Sequence, residues 1–421
     1  MKIHVAVYYF LFALCVPFIS NAQSSAYIFV KDTLPEAPFI RLEENCIFDS
    51  LNTLEPFYKK LQAVKSGADS VRKIVNVLHL GDSHIQAGFL SGQVMNRFQS
   101  DFGNAGRGLI VPLKLIKSNE PRDYAIRSST SWTGNRCIDR KNYPCPGIGG
   151  MAVATRDTSF SFNVATLSKT DSCNRFRSVT VFHHPGTSPL SVVPSGIGAS
   201  CHFTQWPFAS RIELDTLVCD VLLQGRSALG DTSIYYAMSL ENGNSGILYH
   251  SSGINGSCYS HYAASDQVLN QTAALTPDLI ILSLGTNEAF GKCEENDMYS
   301  QIDRVLNTLR VVHPGVAFLL TTPPECHRRI RRKGKKNYYY TYVPNTKVGK
   351  IAGIIRKYAI DKGIAYWDLF SISGGAGSAK SWMKYQLSAR DKVHFNIEGY
   401  KLQGNLLYDA IIKGYDGYVG K

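Results

Sequence analysis

From residue 279 onward, short apolar runs alternate with stretches of helical periodicity. Leu279-Ile280-Ile281-Leu282-Ser283-Leu284 reads as a strand, and Met298 to Val312 reads as a helix. Val316-Ala317-Phe318-Leu319-Leu320 is a second strand, stopped by Pro323-Pro324. Val348 to Ala359 is a helix, Ile364-Ala365-Tyr366-Trp367 a strand, and Ile397 to Ile412 a last helix. Runs that are apolar at successive positions have no polar face to give to water. Alternated with helices, they predict a parallel sheet covered on both faces.

The same rhythm appears once near the start. Ile74-Val75-Asn76-Val77-Leu78-His79-Leu80 reads as a buried strand ending at Gly81. Leu90, Val94, Phe98 and Phe102 then fall on one helical face. Between the two α/β stretches the pattern changes. From about Tyr124 to Tyr249, runs such as Ser178-Val179-Thr180-Val181-Phe182 and Arg211-Ile212-Glu213-Leu214 are separated by Gly, Pro, Ser and Asn. That is the punctuation of an antiparallel β-sandwich. The expected organisation is a segment 1–22 that is removed, an α/β domain over 23–120 and 251–421, and a β-sandwich insert over 121–250.

The first segment reads as an export signal. Lys2 precedes an apolar stretch from Val5 to Ile19, and Ser20-Asn21-Ala22 supplies small residues for cleavage after Ala22. The stretch is short for a bilayer span, which argues against an anchor, and Leu14 before Cys15 argues against a lipoprotein. A periplasmic or secreted location follows. The chain has 10 cysteines, and loss of Cys15 leaves an odd number. An oxidising compartment permits disulfides, and Cys137 with Cys145, close together in a Gly/Pro-bearing loop, is the expected pair. No Cys-x-x-Cys spacing suggests zinc.

The formal charge of +12 draws the protein toward anionic envelope polymers or acidic glycans. Much of it is one run, Arg328-Arg329-Ile330-Arg331-Arg332-Lys333-Gly334-Lys335-Lys336, followed by Tyr338-Tyr339-Tyr340. A solvated loop is the expected state of this run, ahead of a nucleic-acid stripe. A third reading places it beside the active site, holding a polyanionic substrate.

Four short blocks carry chemistry. Ser83, in Gly81-Asp82-Ser83-His84, sits just past a strand's C-terminal end, where parallel sheets place ligands and where the following helix directs its N-terminus. Read alone, the Gly-Asp-Ser tripeptide favours Ser83 as a mere cap of that helix. Asp391-Lys392-Val393-His394 offers a base with a carboxylate three residues earlier, within reach of its imidazole. Gly285-Thr286-Asn287-Glu288 follows a strand, and the Asn287 amide could donate to an oxyanion. Gly253-Ile254-Asn255-Gly256-Ser257 offers backbone N–H groups in a Gly-rich turn.

In this order the blocks resemble the SGNH (GDSL-type) esterase/lipase superfamily, over about residues 74–103 and 251–412. Glu288 stands where many members have Asp. The resemblance implies a flavodoxin-like three-layer α/β sandwich with a parallel sheet, interrupted here by the β-sandwich insert. It implies Ser83 as nucleophile, His394 as base and Asp391 as its orienter. It also implies an oxyanion hole from the Ser83 and Gly256 N–H groups and the Asn287 side chain, with Gly253 and Gly106 as competitors for the Gly256 role. No cofactor and no metal are implied.

The insert, with Gly81-Asp82-Ser83-His84-Ile85, Gly106-Arg107-Gly108 and Gly253-Ile254-Asn255-Gly256, is similar to envelope peptidoglycan O-acetylesterases with a carbohydrate-binding-module-like domain. That resemblance implies removal of O-acetyl groups from an acetylated polysaccharide, peptidoglycan first, with no nucleic-acid partner and no membrane span. An O-acetyltransferase, a deacetylase of another polysaccharide, and an inactive glycan-binding protein are the alternatives. Trp132 and Trp206 could stack on sugars, although core packing is the expected role of each.

Overall fold

The computed structural model describes residues 37–67, 73–140, 143–167, 174–193, 196–334 and 337–420. The expected signal segment 1–22 and its cleavage position lie outside the described residues, as do Lys335 and Lys336. Among the described residues, no helix is long and apolar enough to cross a membrane.

A seven-stranded sheet forms the centre. Across it the strands run Ile47–Phe48, Ala365–Trp367, Ala317–Thr321, Leu279–Ser283, Ile74–Gly81, Gly246–Gly253 and Asn104–Gly106. All neighbours are parallel except the edge strand Ile47–Phe48. The apolar runs are explained by burial on both faces. Val75, Val77, Leu279 and Ile281 enter one hydrophobic cluster with Leu90, Val94 and Phe98 of the helix Phe89–Phe102 and Leu402, Leu406 and Leu407 of Ile397–Val419. Leu78, Leu80, Ile280 and Leu282 enter the other, with Val305 of Glu295–Val312 and Ile355 of Lys347–Lys362. This is the predicted three-layer arrangement. Taking Gly246–Gly253 as the second long strand, the order becomes 2-1-3-4-5, the flavodoxin-like winding.

His79 is the one charged-type side chain inside the strand Ile74–Gly81. Its ring nitrogens meet the Tyr249 hydroxyl and Ser283 Oγ, both at 2.7 Å, and burial pushes its pKa down to about 3. It is a neutral crosslink between three strands.

The insert is built from two antiparallel sheets. One is ordered Ser191–Val192, Asp220–Arg226, Ser159–Thr166, Tyr124–Arg127. The other runs Ala199–Phe203, Ala209–Val218, Phe176–His183, Ser233–Glu241, Met151–Thr155, Thr133–Arg136, with Gly108–Ile110 also on Ser233–Glu241. Trp132 stacks on Phe162 at 4.7 Å and meets Phe160 and Tyr235 edge-on, so it packs in the core.

Three expectations need correction. The insert's strands begin at Gly108 and end at Glu241, and Gly246–Gly253 belongs to the parallel sheet, so a boundary at 250 falls inside a strand. Cys137 and Cys145 are both free: Cys137 faces inward beside Gly150, whereas Cys145 is exposed beyond Pro144. Over its described part, Arg328–Lys333, the basic run is no loop. His327–Lys333 and Tyr338–Pro344 form a two-stranded antiparallel ribbon.

Candidate active site

Three strands end level with one another. Gly81 pairs with Gly253 on one side and with Ser283 on the other. The Gly-Asp-Ser, Gly-rich and Gly-Thr-Asn blocks therefore leave the sheet side by side at its carboxyl edge, where the strand order reverses. The Gly81 carbonyl accepts from Ile254 N–H (3.1 Å), Ser257 Oγ (3.0 Å) and Tyr262 Oη (2.9 Å), which ties the nucleophile turn to the returning chain. The approach is close enough to exclude side chains. A Cβ on Gly253 would lie 2.1 Å from Gln86 N and 2.4 Å from the Asp82 carbonyl oxygen.

Ser83 opens a one-turn helix, Ser83–Gln86, and Gly88 in the left-handed region (φ 75°) separates it from the long helix starting at Phe89. The long helix thus begins within one residue of the apolar stripe that starts at Leu90. Asp82 caps the short turn, its Oδ1 accepting from His84 N–H at 2.9 Å. Burial pushes the Asp82 carboxyl up to about 7.

The structure brings Ser83, His394 and Asp391 into one chain of hydrogen bonds. Ser83 Oγ lies 2.8 Å from His394 Nε2, and His394 Nδ1 lies 2.7 Å from Asp391 Oδ2. Asp391 Oδ1 accepts from the Val393 and His394 N–H groups, both at 3.0 Å. The hydrogen bond to His394 holds the Asp391 carboxyl well below the usual carboxylate range. Asp391 in turn raises the His394 imidazole above its ordinary value, against the opposing effect of burial. With the Nδ1 proton directed to Asp391, Nε2 is left as an acceptor for the serine hydroxyl.

Asn287 reaches the same turn. Its Nδ2 donates to the Ser257 carbonyl at 3.0 Å and lies 3.3 Å from Asp82 Oδ2. Gly256 has φ 86°, and its N–H has no partner among the described residues. Its competitors are placed differently. The Gly106 N–H is taken by Asn104 Oδ1 at 2.8 Å, and Gly253 is sealed inside the sheet end. Glu288 is buried, and its Oε1 accepts the Tyr259 N–H at 2.8 Å, so it fastens the start of the short helix Tyr259–Ala263 earlier in the chain.

Two contributors were not singled out from the sequence. The His84 ring sits 5.2 Å from the His394 ring and 3.0 Å from Tyr400 Oη, and burial holds its pKa down at about 3. An uncharged His84 backs His394 without repelling it when it gains a proton. Gln86 pins the Gly-rich block, its Oε1 accepting from Asn255 N–H at 2.7 Å while its Nε2 donates to the Asn119 carbonyl at 2.8 Å. Adjacency to Ser83 was the available signal for His84. Nothing local marked Gln86, because its partners lie 33 and 169 residues away.

Residues 225–402 match the GDSL-like lipase/acylhydrolase family. The match begins inside the insert, in the strand Asp220–Arg226, and leaves out the Ser83 turn. Among solved structures, a peptidoglycan O-acetylesterase superposes with a TM-score of 0.70 at 20% identity, over 88% of this chain and 99% of that one. Est24, a carbohydrate acetylesterase from Sinorhizobium meliloti, aligns over 40% of this chain and 79% of its own at 14% identity (TM-score 0.29). The M. smegmatis aryl esterase aligns over the same shares at 14% identity (TM-score 0.29). No curated protein sequence matches. Over residues 225–402 the chain is therefore similar to GDSL-like lipases and acylhydrolases, and its fold is that of the peptidoglycan O-acetylesterase structure.

Proposed function

We propose that the protein is an exported serine esterase that removes O-acetyl groups from a cell-envelope glycan, with peptidoglycan as the substrate. The observation that carries this reading is the continuous Ser83–His394–Asp391 hydrogen-bond chain at the switch point of the sheet. His394 takes the Ser83 proton as Oγ attacks the acetyl carbonyl. The developing oxyanion is met by the Ser83 and Gly256 N–H groups and by Asn287 Nδ2, whose longer contact to Asp82 it displaces. His394 then protonates the departing sugar oxygen. In the second half it removes a proton from water, which attacks the acetyl-enzyme and releases acetate.

A glycan substrate is supported by the openness of the site. The Asp391 side chain is about half exposed and that of His394 about a third. A groove lined by Lys117, Asn119, Arg136, Asp139 and Asn255 runs from the Gly-rich block onto the insert, which gives a polymer room to lie across both. The peptidoglycan assignment is supported by the full-length likeness, insert included, to the peptidoglycan O-acetylesterase.

The test is acetate release from O-acetylated peptidoglycan and from p-nitrophenyl acetate. Ser83→Ala should lower kcat on both by about 10⁶-fold, as loss of a triad serine does elsewhere, with an unchanged thermal midpoint. Near-normal turnover by that variant would sink the assignment.

A further inference from the structure

The ribbon made of His327–Lys333 and Tyr338–Pro344 is anchored on the loop that carries Asp391 and His394. His327 N–H donates to the Lys392 carbonyl at 2.9 Å, and Asn345 N–H closes the ribbon's base on the Cys326 carbonyl at 2.9 Å. Side chains directly opposite in an antiparallel pair share a face. The pairs Arg329/Tyr342, Arg331/Tyr340 and Lys333/Tyr338 therefore all lie on one face.

That face interleaves cations and rings. The Arg329 guanidinium lies 3.9 Å from the Tyr340 ring centre, and that of Arg331 lies 3.7 Å from Tyr338. Lys392 Nζ lies 4.7 Å from the Tyr342 ring, so the ladder starts at the residue next to Asp391 and runs outward. Tyr338 and Tyr340 are more than half exposed. Among the described residues, no carboxylate pairs with Arg328, Arg329, Arg331, Arg332 or Lys333. Like charges crowded on a narrow ribbon repel one another, and no described carboxylate is paired with them. A guanidinium stacked on a ring keeps its N–H edge free for a bidentate carboxylate contact.

We propose that this face is the docking surface for a carboxylate-bearing glycan strand, which it guides lengthwise to Ser83. The tyrosines pack against sugar rings, and Arg329, Arg331 and Lys333 hold the carboxylates. The proposal rests on the esterase reading for the strand's destination, since a nucleic acid carries no acyl ester for the adjoining site. It narrows the substrate to the acidic, O-acetylated class.

Two measurements test it. The first compares acetylated polygalacturonate, which is acidic, with acetylated xylan, which is neutral, each relative to p-nitrophenyl acetate. In the triple variant Arg329→Gln, Arg331→Gln, Lys333→Gln, the relative kcat/KM on the acidic polymer should fall at least tenfold, and on xylan less than threefold. Equal losses on both polymers, or no loss on the acidic one, would overturn the proposal. The second measures retardation of the Ser83→Ala protein, ribbon intact, in gels containing polygalacturonate or hydroxyethyl cellulose. Retardation by polygalacturonate alone, weakening as salt rises, is expected. Its absence, or tighter binding to duplex DNA than to polygalacturonate, would overturn the proposal. If the wild type releases no acetate from any ester yet polygalacturonate binding depends on the three cations, the esterase reading fails and the docking surface stands.

Discussion

The two sides of the site are built in opposite ways. On the nucleophile side, Ser83 and Asn287 stand at the ends of buried parallel strands, and the backbone there is packed too closely to admit a Cβ at Gly253. On the base side, Asp391 and His394 sit on a surface turn held by short-range bonds to Val393 N–H and His394 N–H, with Lys392 at φ 59°. One side is positioned by the whole sheet, and the other by a local turn with a long-range bond from His327 N–H to the Lys392 carbonyl. The rigid side can hold donors aimed at a developing charge without reorganising. The exposed side leaves an edge along which a long substrate can enter.

This contrast makes predictions that differ in kind on the two sides. Asp391→Asn should lower kcat by about 10⁴-fold, as replacement of the triad carboxylate does, while the thermal midpoint stays near wild type because the turn is exposed. The same variant tests the electrostatics. With Asp391 present, kcat/KM should rise with pH through a midpoint above the ordinary imidazole value of 6.5, because only neutral His394 is a base. Without it the midpoint should move to lower pH. A midpoint that does not move would mean that the carboxylate does not set the imidazole's affinity for protons.

On the buried side, Asn287→Ala should lower kcat by about 10² to 10³-fold, corresponding to about 2.7–4 kcal/mol of lost oxyanion stabilisation, with little change in KM. A matched rise in KM would instead assign Asn287 to ground-state binding. Gly253→Ala should give the smallest effect on chemistry and the largest on the fold. Overpacking at this site is expected to lower stability by about 1–3 kcal/mol, measured by denaturant unfolding. An unchanged midpoint would show that the sheet end is looser than its contacts imply.

Most of the catalytic scaffold was legible in advance. The strands at residues 74, 279, 317 and 365 and the helices that follow were readable because each satisfies a local rule, either an apolar run buried on both faces or a 3.6-residue stripe. Two of the four blocks were legible for the same reason, since Ser83 and Asn287 follow predicted strands; the Gly-rich block follows a strand that was not predicted, and Asp391–His394 lies on a turn before the last helix. Gly246–Gly253 escaped because Tyr249-His250-Ser251-Ser252 is too polar to read as a core strand. It is one because its backbone pairs with Ile74–Gly81, more than 150 residues earlier. The ribbon escaped because its charges look solvated in one dimension, and only the pairing of Arg329 with Tyr342 and its neighbours puts cations and rings on one face.

The chain's local patterns were enough for the α/β class and the presence of a β-rich insert, and the resemblance of its four blocks to SGNH hydrolases pointed to the residues that meet at the site. Those properties depend on periodicity and on side-chain chemistry, which neighbouring residues carry between them. Where the insert ends, which glycine keeps a free N–H, that Cys137 and Cys145 stay apart, and that a basic ladder begins beside Asp391 were decided by contacts between distant segments. Such contacts form because separate elements compete to bury the same surfaces and satisfy the same hydrogen bonds, and that competition is resolved only when the whole chain has folded.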